Sequence, residues 1–477
     1  MIFTSYTYVY FLVVAFLVHW SLPVGWRKPF LIAASYLFYC TWKWQYGFLL
    51  LGVSLFNWAY GKWVLSKMAS ASTLLPGILV NLAPLIYFKY TLFIVSNTAS
   101  ALNLLGAGWH PRVSDIILPL GISFFTFQGI AYLVDVASGE KAFLNVRDFL
   151  LYKGFWPQLI AGPIIRPGEI RRQIEGERTL DYEGFSIGCR RILLGFFKKI
   201  VLADTLAPFV DMVYMPGAGP NAVDSVIGTL AFGLQIYLDF SAYSDIAIGS
   251  ARLFGFVFPE NFDWPYLSRS PQEFWNRWHM TLSRWIRDYI FTPMTFAARH
   301  RPKMALFWLL LAMAVCGFWH GAQWTFIIWG IWHGILLVLN QTILKNFLPL
   351  PGDSSKGCYT LKIWLGTVFT FALVTVGWVF FRATTLKNAL EILSSMLVFK
   401  GGLHRAVLRE NAILVVLTLF FGLVTIQIMK EWPKRWDYLS PYLDPAKRIL
   451  KPVAYALLIL AVIIFDKSAK AFVYFQF

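Results

Sequence analysis

The chain has 477 residues, 58% of them hydrophobic and only 14% charged, with a mean hydropathy of +0.58. Soluble domains put about a quarter of their residues into Asp, Glu, Lys and Arg, so this composition excludes a soluble globular protein and specifies a polytopic, all-α membrane protein. The net charge of +17 does not indicate nucleic acid, because Lys and Arg sit mostly in short loops between apolar runs, the positive-inside arrangement that sets orientation.

A helix needs about 20 mostly apolar residues to cross a bilayer. No basic residue precedes Arg27, so residues 2–24 are read as a retained first span rather than a cleaved signal. The further expected spans are 29–42, 45–61, 74–97, 114–137, 184–208, 222–250, 304–320, 323–344, 361–381, 411–430 and 452–470, about eleven or twelve in all. Alternating them places Arg27 and Lys28, Lys62 and Lys67, Lys141 and Arg147, the 166–191 stretch, 266–303 and 430–451 on one side. The positive-inside rule makes that side cytoplasmic. Segments 98–113 and 211–221, nearly free of Lys and Arg, fall opposite. The chain reads as one membrane domain over 1–477, with N-terminal spans in 1–113, a core in 114–345 and C-terminal spans in 346–477. Its four cysteines (Cys40, Cys189, Cys316, Cys358) are scattered, which argues against a disulfide framework and against a metal site.

Segment 149–165 is too short and broken to cross. Within it begins "PQLIAGPIIRPGEI", 157–170, whose three prolines and two glycines forbid a continuous helix. Such backbone at membrane depth is tolerated only when buried in protein or lining a cavity. Asp239 and Asp245 lie in an apolar run and, six residues apart, on different helix faces. The expectation is that they pair with cations such as Arg252 or cap helix breaks. Arg382 closes a span and is expected to reach for the surface.

Residues 273–290, "EFWNRWHMTLSRWIRDYI", are amphipathic at helical period. Phe274, Trp275, Trp278, Leu282, Trp285, Ile286 and Tyr289 share one face, with Glu273, Arg277, Arg284, Arg287 and Asp288 opposite. The reading is one helix in the cytoplasmic interface, tryptophans at headgroup depth and His279 at the edge of the apolar face. His279 is either a hydrated interfacial residue or the mark of an entry for polar substrate.

"CGFWHGAQWTFIIWGIWHG", 316–334, carries His320 and His333. The run from Met304 to Trp319 reaches only about 24 Å at 1.5 Å per residue, so His320 is expected inside the membrane thickness, beside a break eased by Gly321. Ionisable groups in that setting are functional candidates, with interhelical hydrogen bonding as the competitor. On a straight helix His333 points some 220° away from His320, so the two share one cavity only if the helix breaks. His333 is expected to be an interhelical hydrogen-bonder.

Together, "DFSAYSDIAIGSARLFGFVFPENF", "FWNRWHMTLSRWIRDYIF" and "GFWHGAQWTFIIWGIWHG" resemble the membrane-bound O-acyltransferase family. "PQLIAGPIIRPGEI", "GWVFFRA" and "FVYFQF" resemble its bacterial branch that contains the membrane subunit of alginate O-acetylation. The likeness runs from about residue 115 onward; Ala242 stands where the branch has Gly, and "TPMTFAARHRPK" where a Gly-Gly pair follows "RDYIF". The resemblance implies a ring of transmembrane helices around a tunnel and acyl transfer from a thioester to a hydroxyl. It assigns His320 to the catalytic histidine and His279 to the second signature position. It also implies acetyl-CoA as donor, an extracytoplasmic SGNH-type acetyltransferase and secretion complex as partners, an exopolysaccharide such as alginate as final acceptor, and the bacterial inner membrane as location. Arg277, Arg284 and Arg287 are candidates for the cofactor phosphates, with lipid headgroups as the competing ligand. The alternatives are a teichoic-acid-type D-alanyl transfer protein with a carrier-protein donor, and a transporter without chemistry.

Overall fold

The computed structural model describes residues 3–66, 71–111, 116–301, 304–347, 358–398, 418, 422, 452–466 and 472, and among these every regular element is helical. The chain divides into two compact units. The first comprises Met1–Ile192, Ile246–Glu260 and Gly321–Gln323; the second comprises Leu193–Asp245, Asn261–His320 and Trp324–Phe477.

The first unit contains α1 (Tyr6–Ser21), α2 (Val24–Cys40), α3 (Trp44–Leu65), α4 (Ala71–Leu85), α5 (Thr91–Leu104), α6 (Ile122–Ala137), α7 (Val146–Gly154), α8 (Trp156–Leu159), α9 (Pro167–Glu175) and most of α10 (Tyr182–Phe196). The span expected from residue 114 begins only at Ile122, because Gly121 stands at the N-cap with φ +71°, a conformation open to glycine. The proline-rich segment is broken as expected and buried in protein: Trp156, Leu159 and Ala161 are fully buried. Two polar side chains there find main-chain partners. The Tyr152 hydroxyl donates to the Ile165 carbonyl at 3.2 Å, and the Gln158 carboxamide donates to the Tyr152 carbonyl.

The second unit contains α11 (Asp204–Tyr214), α12 (Ala222–Leu253) up to Asp245, α13 (Pro271–Arg277), α14 (Met280–Ile286), α15 (Thr292–Ala297), α16 (Met304–His320), α17 (Trp324–Thr342), α18 (Cys358–Arg382), α19 (Leu386–Leu397) and α20 (Pro452–Phe465). Among the described residues five helical stretches are long and apolar enough to cross a membrane: Trp44–Leu65, Ser72–Leu104, Ala222–Leu253, Trp324–Thr342 and Lys362–Arg382. Tyr6–Ser21, Ile122–Ala137, Met304–His320 and Pro452–Phe465 are shorter apolar helices. The expected 184–208 span is interrupted by a π-helical stretch, Phe197–Ala203. The expected 411–430 span lies outside the described residues apart from Thr418 and Gly422.

That π-helical stretch supplies the partners for the α12 carboxylates. Fully buried Lys199 donates to Asp239 at 2.6 Å and to Asp204 at 2.8 Å, while Lys198 donates to Asp245 at 2.7 Å. Structural pairing of the two aspartates holds, but the cations are these lysines and not Arg252. Arg382, at the end of α18, does not simply reach solvent. It donates to Asp211 at 2.6 Å, and its side chain is only 18% exposed.

Candidate active site

The stretch read as one interfacial helix is two. α13 ends at Arg277, His279 adopts φ +41°, ψ +53°, and α14 starts at Met280. A non-glycine residue rarely holds this left-handed conformation, which costs of order 1–3 kcal/mol and persists only where its surroundings enforce it. Here Asn261 enforces it. The Asn261 main-chain carbonyl accepts from Met280 N at 2.9 Å, and its side-chain oxygen accepts from Thr281 N at 3.3 Å and Thr281 Oγ1 at 2.8 Å. The same oxygen lies 3.0 Å from His279 Nδ1. An oxygen already accepting from two donors receives a third, so Nδ1 carries the proton and Nε2 the lone pair. The Asn261 amide in turn donates to Ser244 on α12 at 3.2 Å.

The break also turns the aromatic face inward. Phe274, Trp275, Trp278, Leu282, Trp285 and Ile286 are all buried, and His279 is fully enclosed, so these rings pack in the protein core and not among headgroups. His279 lies in the joint between α13 and α14, which runs on through the π-helical Arg287–Phe291 into α15; neither stretch is among the helices long and apolar enough to span. Burial pushes its imidazole down to about 3, which leaves the ring neutral near pH 7.

His320 is the last residue of α16, with 6% exposure. The helix breaks there, as the argument about a shared site required. After Gly321–Gln323 the chain returns as α17, antiparallel to α16, and the two backbones come very close at Gly317 and Gly330. A Cβ on Gly317 would lie 2.2 Å from the Phe326 carbonyl oxygen. The return brings Trp329 edge-on to His320, at 5.0 Å between ring centroids, and 4.8 Å from His333. Phe381 of α18 closes on His320 at 5.2 Å. Trp319 touches both candidate histidines, at 4.8 Å from His320 and 6.4 Å from His279.

For His333 the expected interhelical hydrogen bond is absent at one ring nitrogen. Its Nε2 makes no hydrogen bond among the described residues, and a Cβ on Gly377 of α18 would meet that atom at 2.9 Å. Phe274 stacks on the ring at 6.0 Å and Trp275 meets it edge-on at 5.3 Å. It is part of an aromatic cage.

The three arginines separate. Arg284 and Arg287 line a cleft of about 380 Å³. Its inner wall is apolar, with Met280 next to His279 in sequence, Met313, and Cys316 one helical turn before His320. Arg277 is not among the lining residues. It is held by Glu273 at 2.8 Å and faces Asp263 at 3.6 Å. Among the described residues no three His, Cys, Asp or Glu side chains gather as metal ligands would. Asn261 is not singled out by the sequence; its only signal is a carboxamide between Glu260 and Phe262 in "FPENF".

An all-helical, multi-pass membrane protein with imidazoles enclosed at helix breaks is the class that fold and site define. Residues 142–371 match the model of the membrane-bound O-acyltransferase family. The probable alginate O-acetylase AlgI of Azotobacter vinelandii is 37% identical over 84% of this chain and 78% of its own length. The peptidoglycan O-acetyltransferase of Helicobacter pylori is 34% identical over 82% and 78%. The teichoic acid D-alanyltransferase of Streptococcus thermophilus is 30% identical over 67% and 74%. The chain belongs to the membrane-bound O-acyltransferase family and is an O-acyltransferase.

Proposed function

We propose that the protein transfers acetyl groups from cytoplasmic acetyl-CoA, across the bacterial inner membrane, for O-acetylation of an extracellular polysaccharide of the alginate kind. The observation that carries this reading is the joining of His279 and His320 through Trp319, beside a cleft with arginines and an apolar inner wall. An anionic thioester suits that cleft: Arg284 and Arg287, the latter also paired with Asp288 at 2.6 Å, attract its phosphates, while Met313 and Cys316 face its uncharged acyl arm.

His320 acts as general base. Its imidazole takes the acceptor hydroxyl proton as the oxygen attacks the acetyl carbonyl, a contribution of typically 10²–10⁴-fold. The C–O ester bond forms, the C–S bond breaks, and the proton passes to the departing thiolate. His279, with Nδ1–H held by Asn261, presents Nε2 to orient the acceptor. An extracytoplasmic SGNH-type acetyltransferase then delivers the acetyl group to the polymer. D-alanyl transfer is the second reading, supported by the 30% identical D-alanyltransferase, but the O-acetylating relatives match more of this chain at higher identity.

The test is transfer from labelled acetyl-CoA in proteoliposomes. Wild-type protein is expected to form acetyl ester and His320→Ala to lose at least about 100-fold of the rate. Full activity in His320→Ala overturns the base assignment, and activity only with a D-alanyl carrier protein selects the second reading.

A further inference from the structure

The first unit holds a separate cavity, of about 260 Å³, among the end of α1, the start of α2, α7 and the end of α9. Arg27, Lys28, Arg147 and Arg178 line it together with Glu175, Glu177 and His19. Lys28 is neutralised by Asp148 at 2.5 Å, and Glu175 faces Arg171 at 3.9 Å. The guanidinium of Arg27 donates to main-chain carbonyls, of Leu22 at 3.0 Å and Arg178 at 3.1 Å. Arg147 and Arg178 make no ion pair among the described residues, and Arg178 Nε is buried without a hydrogen bond. Three guanidinium charges therefore face one unengaged carboxylate, Glu177.

Two further features favour an anion. Val24 and Gly25, the first residues of α2, line the cavity, and Pro23 at the N-cap provides no side-chain hydrogen bond, so the helix presents free N–H groups and its positive end there. His19, 98% buried, borders the cavity with neither ring nitrogen hydrogen-bonded. The Arg27 main chain is the nearest polar partner of the ring, at the edge of hydrogen-bonding range, and the Arg27 charge acts on it too. Burying such a polar ring unsatisfied costs roughly 1–3 kcal/mol, which a hydrogen-bonding ligand removes. The apolar walls, Leu31, Leu151, Ile174 and Phe256, suit a ligand with an uncharged portion beside its charge.

We propose that this cavity is a phosphate-binding site, taking the phosphoester of an anionic ligand between Arg147, Arg178 and His19. Loop charge assigns this side to the cytoplasm, where the phosphate is carried either by an anionic lipid headgroup or by a soluble compound. The proposal is independent of the acyl-transfer reading.

The experiment is native mass spectrometry and thermal melting of the delipidated full-length protein in detergent. The probes are phosphatidylglycerol, phosphatidylcholine and inorganic pyrophosphate. Wild-type protein is expected to bind phosphatidylglycerol at least about tenfold more tightly than phosphatidylcholine, and Arg147→Gln, Arg178→Gln and His19→Phe each to reduce that binding by about tenfold, as loss of one charge-assisted bond requires. Arg147 is exposed and His19→Phe keeps the ring contacts to Trp20 and Phe254, so these two variants test the site even if Arg178→Gln does not fold. Competition by pyrophosphate identifies a soluble phosphate as the source, and its absence identifies the lipid. Equal binding of both lipids with no pyrophosphate binding, or unchanged binding in the folded variants, overturns the proposal.

Discussion

At Asn261 one carboxamide oxygen meets three donors, and through them holds a left-handed residue, a helix start and an imidazole tautomer together. Asn261→Ala removes the acceptor shared by Nδ1 of His279 and both Thr281 donors, so a loss of roughly 1–3 kcal/mol is expected, together with lower activity; Asn261→Asp keeps the acceptor and is expected to restore most of the melting temperature. Acidity acts on two neighbouring groups. The folded His279 ring stays neutral to about 3 while the unfolded ring titrates near 6.5, so the unfolded state binds the extra proton and stability declines as pH falls through that interval. Burial alone would raise the Glu273 carboxyl, but hydrogen bonds from Arg269 and the charge of Arg277 outweigh it and hold the group below its ordinary 4.5. Its contribution is present above 4.5 and lost as pH drops through the lower folded value. Melting curves from pH 7 to 3 are expected to fall more gently in His279→Gln above pH 4.5, and in Glu273→Gln only below it. Identical slopes in wild type and both variants would falsify this assignment.

Among the elements, the α16–α17 hairpin rests on contact between two glycines. Gly317→Ala puts a methyl where the Phe326 carbonyl stands, and an overpacked core costs typically 1–3 kcal/mol. The expected result is a lower melting temperature with transfer reduced as Trp329 is displaced from His320. The buried ions around the π-helical stretch behave differently. Lys199→Met alone leaves Asp239 charged and enclosed, a loss of about 3–5 kcal/mol, whereas Lys199→Met with Asp239→Leu removes the enclosed pair, leaves only the partly exposed Asp204 without its lysine, and is expected to regain most of it. Expression and melting in detergent distinguish the two outcomes. Periodicity placed α16 and α17 well, because long apolar runs allow little else. It failed at residues 273–290, where the helical pattern continues through His279 but Asn261, distant in sequence, breaks the backbone. It also missed Lys198 and Lys199, which fall inside the expected 184–208 span and are the counter-ions of α12.

For the molecule as a whole, the acyl-transfer reading carries a direction. The Arg284 and Arg287 cleft lies on the stretch that loop charge assigns to the cytoplasm, so inverted vesicles are expected to consume added acetyl-CoA and sealed right-side-out vesicles are not. Equal consumption by both preparations contradicts a donor cleft on the inner face.

Apolar surplus and loop charge, read from the sequence, were enough to establish a helical multi-pass protein and to bring His320 forward, because an ionisable ring in hydrocarbon is too costly to be incidental; His279 reads only as an interfacial residue until the family resemblance assigns it to the second signature position. Spacing along the chain could not say that His333 belongs to an aromatic cage, that Arg277 is occupied by Glu273, or that Asn261 orients His279. Each of those depends on which side chain from a remote segment arrives within about 3–6 Å, the range over which hydrogen bonds, ion pairs and ring contacts act. Only tertiary packing decides that.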